Sequence, residues 1–312
     1  MINFRFHLAS LIAIFLALAL GVVVGAGVID RGVVDTLNNR LDSVERRSDR
    51  IKGQNKALRD ENRELADAIR AEQCHAVQDR LVGDSIAIVA VRGVSEDSVK
   101  QTIAGAGCAG ATVDGVLWLE GKWALANSDD VKAMAGVLGS TSRRSATVRT
   151  TAWRRLAERL QTSPAVADGS SDLLGALADA GFVSFESTNG GAATISQFSA
   201  LGGPMMLVVG ADGDLSGPDI VIAGATAITN AGISLVVCDV YAAAGGTPSR
   251  GASLGALRQG TLAKTVSTVD NLDRPQGPAT AVLALVGLLT VPPSVGHYGL
   301  TGDKLLPDAV PR

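Results

Sequence analysis

Two hydrophobic patterns follow one another at the front of the chain. Leu8 to Ile29 is an unbroken apolar run with no charge and with Ser10 as its only hydroxyl. As a helix it would rise about 33 Å, enough to cross a hydrocarbon layer of roughly 30 Å. Beyond it the apolar positions recur in steps of three and four: Val34, Leu37, Leu41, Val44, Ser48, Ile51, Asn55, Leu58, Asn62, Leu65 and Ile69. These are the a and d positions of a heptad repeat, and they predict a coiled-coil stalk over 30–75. No proline interrupts it, and Gly53 falls at an outward f position. Asn55 and Asn62 fall at a positions, where a buried amide fixes register and a dimeric state at a cost in stability. Between chains Arg40 would face Glu45, which attracts, and Arg47 would face Lys52, which repels. The predicted interface residues are Leu41, Val44, Ile51, Asn55, Leu58, Asn62 and Leu65, in a homodimer or with a different coiled-coil partner.

From Ser85 onward the period changes again. Continuous apolar runs at Ser85–Val91, Thr112–Leu119, Met205–Gly210 and Ser234–Val240 read as buried strands, with a shorter one from Gly181 to Ser187. Helical patterns lie between and after them: Glu96–Ala106, Asp129–Leu138, Thr151–Leu160, Ser171–Ala180, Asp219–Ala231, Leu254–Ala263 and Ala279–Leu289. Strands apolar on both faces, alternating with helices, predict an α/β domain built on a mainly parallel sheet with flanking helices. The expected organisation is an N-terminal tail (1–7), a transmembrane helix (8–29), the stalk (30–75), one globular domain (83–291) and a C-terminal tail (292–312).

Composition narrows the chemistry. The 312 residues carry a net charge of −3, so no pull on nucleic acid is expected. Three cysteines, Cys74, Cys108 and Cys238, form no CxxC and are odd in number. That leaves room for one bridge and one free thiol outside the cell. Cys108 and Cys238 read as small buried hydrophobes, and Met205 and Met206 as strand core. Cys74 and His75 stand together at the end of the stalk, where a thiolate and an imidazole could hold a soft ion such as Cu(I) or Zn(II). A helix end whose side chains pack or face solvent is the plainer reading of that pair. Asp212 and Asp214 follow a strand and could face a cation, though Asp-Gly there is ordinarily a turn. No HExxH, GxSxG, GxGxxG or Walker A motif occurs, and an enzyme is not expected.

Leu8–Ile29 exceeds the length of a secretory h-region, and helical pattern continues past the small residues Gly25-Ala26-Gly27. A retained single-pass anchor is therefore favoured over a cleaved signal. Gly21 and Gly25 form a GxxxG, which lets two membrane helices approach closely. Arg5 on one side and Arg31 and Arg40 on the other nearly balance. The orientation adopted is the usual one, with a short tail inside and the globular domain outside the cytoplasm.

The N-terminal run MINFRFHLASLIAIFLALALGVVVGAGVID, the stalk, Ser267-Thr268-Val269-Asp270-Asn271-Leu272-Asp273 and Gly296-His297-Tyr298-Gly299 together resemble the MctB-type copper transporter family of actinobacteria. The resemblance runs end to end. It implies a cell-envelope protein associated with copper export and tolerance, copper as the ligand, and an outer-membrane location. It also reaches SteB-type proteins, which implies a second role: a scaffold for cell separation and wall remodelling beside a SteA-like partner. One apolar helix and an α/β domain do not by themselves line a pore, because lipid demands a closed barrel or a helix bundle.

Overall fold

The structure is a computed structural model. It describes residues 4–162, 172–210, 215, 217–241 and 250–308. The chain divides into two compact units, 1–65 and 66–312.

In the first unit runs most of a single α-helix, α1 (Phe4–Val77). Its span Phe4–Gly25 is long and apolar enough to cross a membrane. Large apolar side chains from Phe4 to Val24 are all more than half exposed. A Cβ added at Gly21 or Gly25 would meet nothing in the single chain. Farther along, Leu37, Leu41, Val44, Ile51, Leu58 and Leu65 are 47–64% exposed, and Asn55 and Asn62 are exposed too. The polar flank carries short-range pairs such as Lys56–Asp60 at 2.8 Å, each adding a few tenths of a kcal/mol at most.

The second unit is a seven-stranded sheet in the order β3-β2-β1-β4-β5-β6-β7. Strand β1 (Ser85–Val91) leads through α2 (Glu96–Cys108) to β2 (Thr112–Leu119), which pairs parallel to β1. Ser95 caps α2 by accepting from the Ser98 amide at 3.3 Å, and Asn127 caps α3 (Ser128–Val137) the same way at 2.8 Å. These side chains satisfy amides that the first helical turn leaves unpaired. Then come α4 (Ser145–Leu160), α5 (Leu173–Asp179) and the edge strand β3 (Val183–Glu186), antiparallel to β2. The chain crosses back to β4 (Met205–Gly210) beside β1, and on through α6 (Pro218–Asn230), β5 (Leu235–Val240) and α7 (Ala252–Gln259). It ends in β6 (Ser267–Val269), α8 (Gly277–Leu288) and β7 (His297–Tyr298).

Strands β4 and β5 are buried at every position, and β1 at all but its first, so both faces of the sheet are covered. Helices α2 and α8 form one packed pair, where a Cβ on Gly105 would lie 3.7 Å from Pro278 Cβ. Helices α4 and α6 form another. The indole of Trp153 lies so close to Gly224 that a side chain there would come within 2.9 Å of it, and Trp153 meets Trp123 edge-on at 5.2 Å. A bulge in β2 shifts the register against β1. At the bulge Gly115 has φ +143°, and an added Cβ would sit 2.5 Å from the Phe185 ring. Glycine thus lets β3 close on β2.

The fold is the expected mixed α/β architecture with a mostly parallel sheet. Four local expectations change. Helix α4 starts at Ser145, ahead of Thr151, because Val148 is already buried. The segment 292–312, expected as a tail, supplies β7 and pairs with β6, and no strand was expected at Ser267–Val269. Cys108 is not a buried hydrophobe: it is half-buried and bonded to Cys74. The bridge joins α1 to α2 inside the second unit, with Cα atoms 5.1 Å apart and 34 residues of separation. Loop closure of that length constrains the unfolded chain by about 4 kcal/mol. Cys108→Ser is accordingly expected to lower stability by about 2–4 kcal/mol, read from urea unfolding of the oxidised proteins.

Candidate functional site

The two motifs that lie far apart in sequence, 267–273 and 296–299, meet as neighbouring strands. β6 pairs with β7 through Thr268–His297 and Val269–Tyr298. Immediately past β6, Asp270 is fully buried. The Leu300 amide donates to its Oδ1 at 2.6 Å. Its Oδ2 accepts from the Thr301 amide at 3.0 Å, from the Thr301 hydroxyl, and from Arg258 Nη2 at 3.0 Å. Arg258 also donates to Thr268 Oγ1 at 2.9 Å, and Thr268 Oγ1 lies 3.0 Å from His297 Nδ1. Gly299 has φ +114°, and any side chain there would run into the Asp270 carboxylate. A glycine is therefore needed for the loop to wrap over the acid. His297 is pushed down by burial and by the Arg258 charge, and burial raises Tyr298.

A second ion pair flanks the first. Arg250 grips Asp273 with two bonds, at 2.5 and 2.8 Å, donates to the Asp270 carbonyl at 2.8 Å and lies 4.5 Å over the Tyr241 ring. Next to it Asp239, almost fully buried at the end of β5, accepts from the Gly251 amide at 3.0 Å. Among the described residues, Asp239 Oδ1 and both amide atoms of buried Asn271 meet no hydrogen-bond partner. Burial pushes Asp239 up to about 6, the Gly251 bond opposes that, and the Asp270 charge adds to it.

The crevice between β1 and β4, where the strand order reverses, is the usual ligand position of such sheets. Arg92, just past β1, turns to the β2 and β3 side instead, where it meets Glu120 at 3.1 Å, Ser184 at 2.8 Å and the Trp118 ring at 4.4 Å. The acids Asp212 and Asp214 lie outside the described residues. Met205, Met206 and Cys238 are buried core, as expected, and burial raises the Cys238 thiol far above its usual range. Cys74 and His75 are both exposed on the final turns of α1. Cys74 is occupied by its bond to Cys108, so it offers no thiolate while the bridge stands. Among the described residues no group of three or more His, Cys, Asp or Glu is placed to hold a metal ion. The heptad position Ile69 lines an apolar groove of about 350 Å³ with Ala76, Ala279, Leu283 and Leu306.

The family described as "Copper transport outer membrane protein, MctB" matches residues 1–307. The chain belongs to the MctB family. Proteins named "Copper transporter MctB" from Mycobacterium bovis and Mycobacterium tuberculosis are 27% identical to it over 312 residues, covering 96% of this chain and 96% of each relative. These MctB relatives are named as transporters and not as enzymes, and the cell-separation alternative draws no support from them. The MctB resemblance rests partly on 267–273 and 296–299. In this structure Asp270 of segment 267–273 is a buried charge, and its donors, Arg258, Leu300 and Thr301, lie outside 267–273 and 296–299. Sequence reasoning did not find the contributions of Arg250 and Arg258. Neither arginine lies in a motif, and only the tertiary fold brings them to Asp273 and Asp270.

Asp239 gives this region a pH dependence whose sign is fixed. In the folded protein it binds a proton up to about pH 6, and the ordinary value is 3.8. Between those values the folded state holds more protons, so stability falls as pH rises through the window. The span is on the order of 3 kcal/mol at most. Asp239→Asn is expected to flatten that part of the stability profile, measured by urea unfolding from pH 4 to 7.

Proposed function

We propose that this chain handles copper at the cell envelope as a paired, membrane-anchored protein. The end-to-end match to a copper transport family carries the reading. The helix Phe4–Gly25 would sit in the bilayer, where an α-helix satisfies its own backbone groups. The globular unit would face the side outside the cytoplasm. A Cys74–Cys108 bridge supports that side, because such bonds persist in oxidising compartments. The copper-transporter name of the relatives makes copper the cargo, and the outer membrane named for the family is the alternative to the cell membrane as its location.

The stalk supplies the pairing. Its seam residues are half exposed in the single chain, and burying each against a partner adds roughly 1 kcal/mol. Gly21 and Gly25 would let the membrane helices approach closely, Leu41, Val44, Ile51, Leu58 and Leu65 would form the seam, and Asn55 and Asn62 would meet their copies. Two chains of this kind are the favoured assembly, and a different coiled-coil chain is the other.

Single cysteines placed at Leu41 or Leu58 in intact cells are expected to crosslink into a species of twice the chain mass, whereas a cysteine at Gly53 is not. A crosslinked species of another mass would indicate a different partner, and crosslinking equal at all three positions would overturn the seam. Deleting the gene is expected to lower the copper concentration that stops growth, with recovery on restoring the wild-type chain. Unchanged tolerance would overturn the copper reading.

A further inference from the structure

We propose that Cys74 and Cys108 form a redox-gated site for a single Cu(I) ion, closed as a disulfide and open as a dithiol. The proposal deepens the copper reading above by naming the residues that would take the ion.

Three observations place the site. First, both residues reach the surface: Cys74 is exposed on α1 and Cys108 is half-buried at the last position of α2. Second, the backbone around them is held independently of the bond between them. Val77 and Leu81 are fully buried just beyond Cys74, and Ala109 just beyond Cys108 accepts from the Leu81 amide at 2.7 Å. With Cα atoms 5.1 Å apart on that frame, the two sulfurs remain neighbours when the bond opens. Third, competing thiols are absent among the described residues, since the remaining cysteine, Cys238, is buried in β5. Two thiolates select Cu(I) by softness. Zinc wants four ligands, and no cluster of three or more His, Cys, Asp or Glu is placed for a metal among the described residues.

The chemistry closes with a small-molecule thiol as reductant. Two thiols transfer two electrons and two protons to the bridge, leaving two protein thiols and one small-molecule disulfide. Cu(I) then displaces both protons and forms a sulfur–copper–sulfur unit of net charge −1. Exchange with a small-molecule disulfide, with uptake of two protons by the released thiols, re-forms the bridge and expels Cu(I).

The test is an anaerobic Cu(I) titration of the detergent-solubilised full chain against a coloured Cu(I) chelator, with thiolate-to-copper absorption in the ultraviolet as a second readout. The reduced wild type is expected to take a single ion and show the absorption, and the oxidised wild type neither. Reduced Cys108→Ser and the reduced wild type alkylated with iodoacetamide should both lose the ion while keeping wild-type circular dichroism. Binding that is equal in the oxidised and reduced forms, or undiminished in both the Cys108→Ser and alkylated proteins, overturns the site. So does a reduced wild type that takes no copper. Such a failure beside a copper-sensitive deletion strain would leave the wider copper reading standing, so the two can be told apart.

Discussion

The burial of one carboxylate organises the C-terminal half of the sheet. Asp270 has no solvent contact, and a lone charge in that position would cost several kcal/mol. Arg258 and the loop at Leu300 and Thr301 supply the compensating donors. Satisfying that charge fixes where β7 lies, why Gly299 cannot carry a side chain, and why α7 presents Arg258 inward. Removing any one partner would strand the others, so the group acts as a unit. Thr268, Asp270 and Gly299 at this end of the chain thus have a structural reason. They hold a short strand to a short strand through charge and hydrogen bonding, since two paired residues cannot do it through burial alone.

The front of the chain follows the opposite logic. A helix as long as α1 has little of its own to bury, and helical propensity alone leaves long apolar faces against water. In the proposed assembly lipid covers one part and a second helix the other. The two asparagines of the seam, Asn55 and Asn62, would then specify which helix pairs with which and in what register.

Under the copper proposal, the choice of site follows from where the soft donors lie. The residues with soft donor atoms are few, and the core has taken several of them: Met205, Met206 and Cys238 are packed beyond reach of solvent. Asp270 and Asp273 are matched with arginine, and buried Asp239 keeps an unpartnered oxygen. The Cys74–Cys108 pair at the end of α1 is therefore the site proposed for a soft ion, and its oxidation state would decide whether the ion binds.

The pattern of apolar positions alone determined the long helix with a membrane-length span near its start, and it determined strands β1, β2, β4 and β5 to within a residue. Each of these is long enough for periodicity or continuous burial to show. β6 and β7 were out of reach of pattern, because segments of three and two residues carry no period and owe their existence to pairing. The antiparallel direction of β3, the union of Cys74 with Cys108 and the meeting of Arg258 with Asp270 were likewise decided by the tertiary structure. Each depends on which residues distant in sequence are brought within bonding distance. Local propensity carries no record of that, and only the packing of helices on the sheet supplies it.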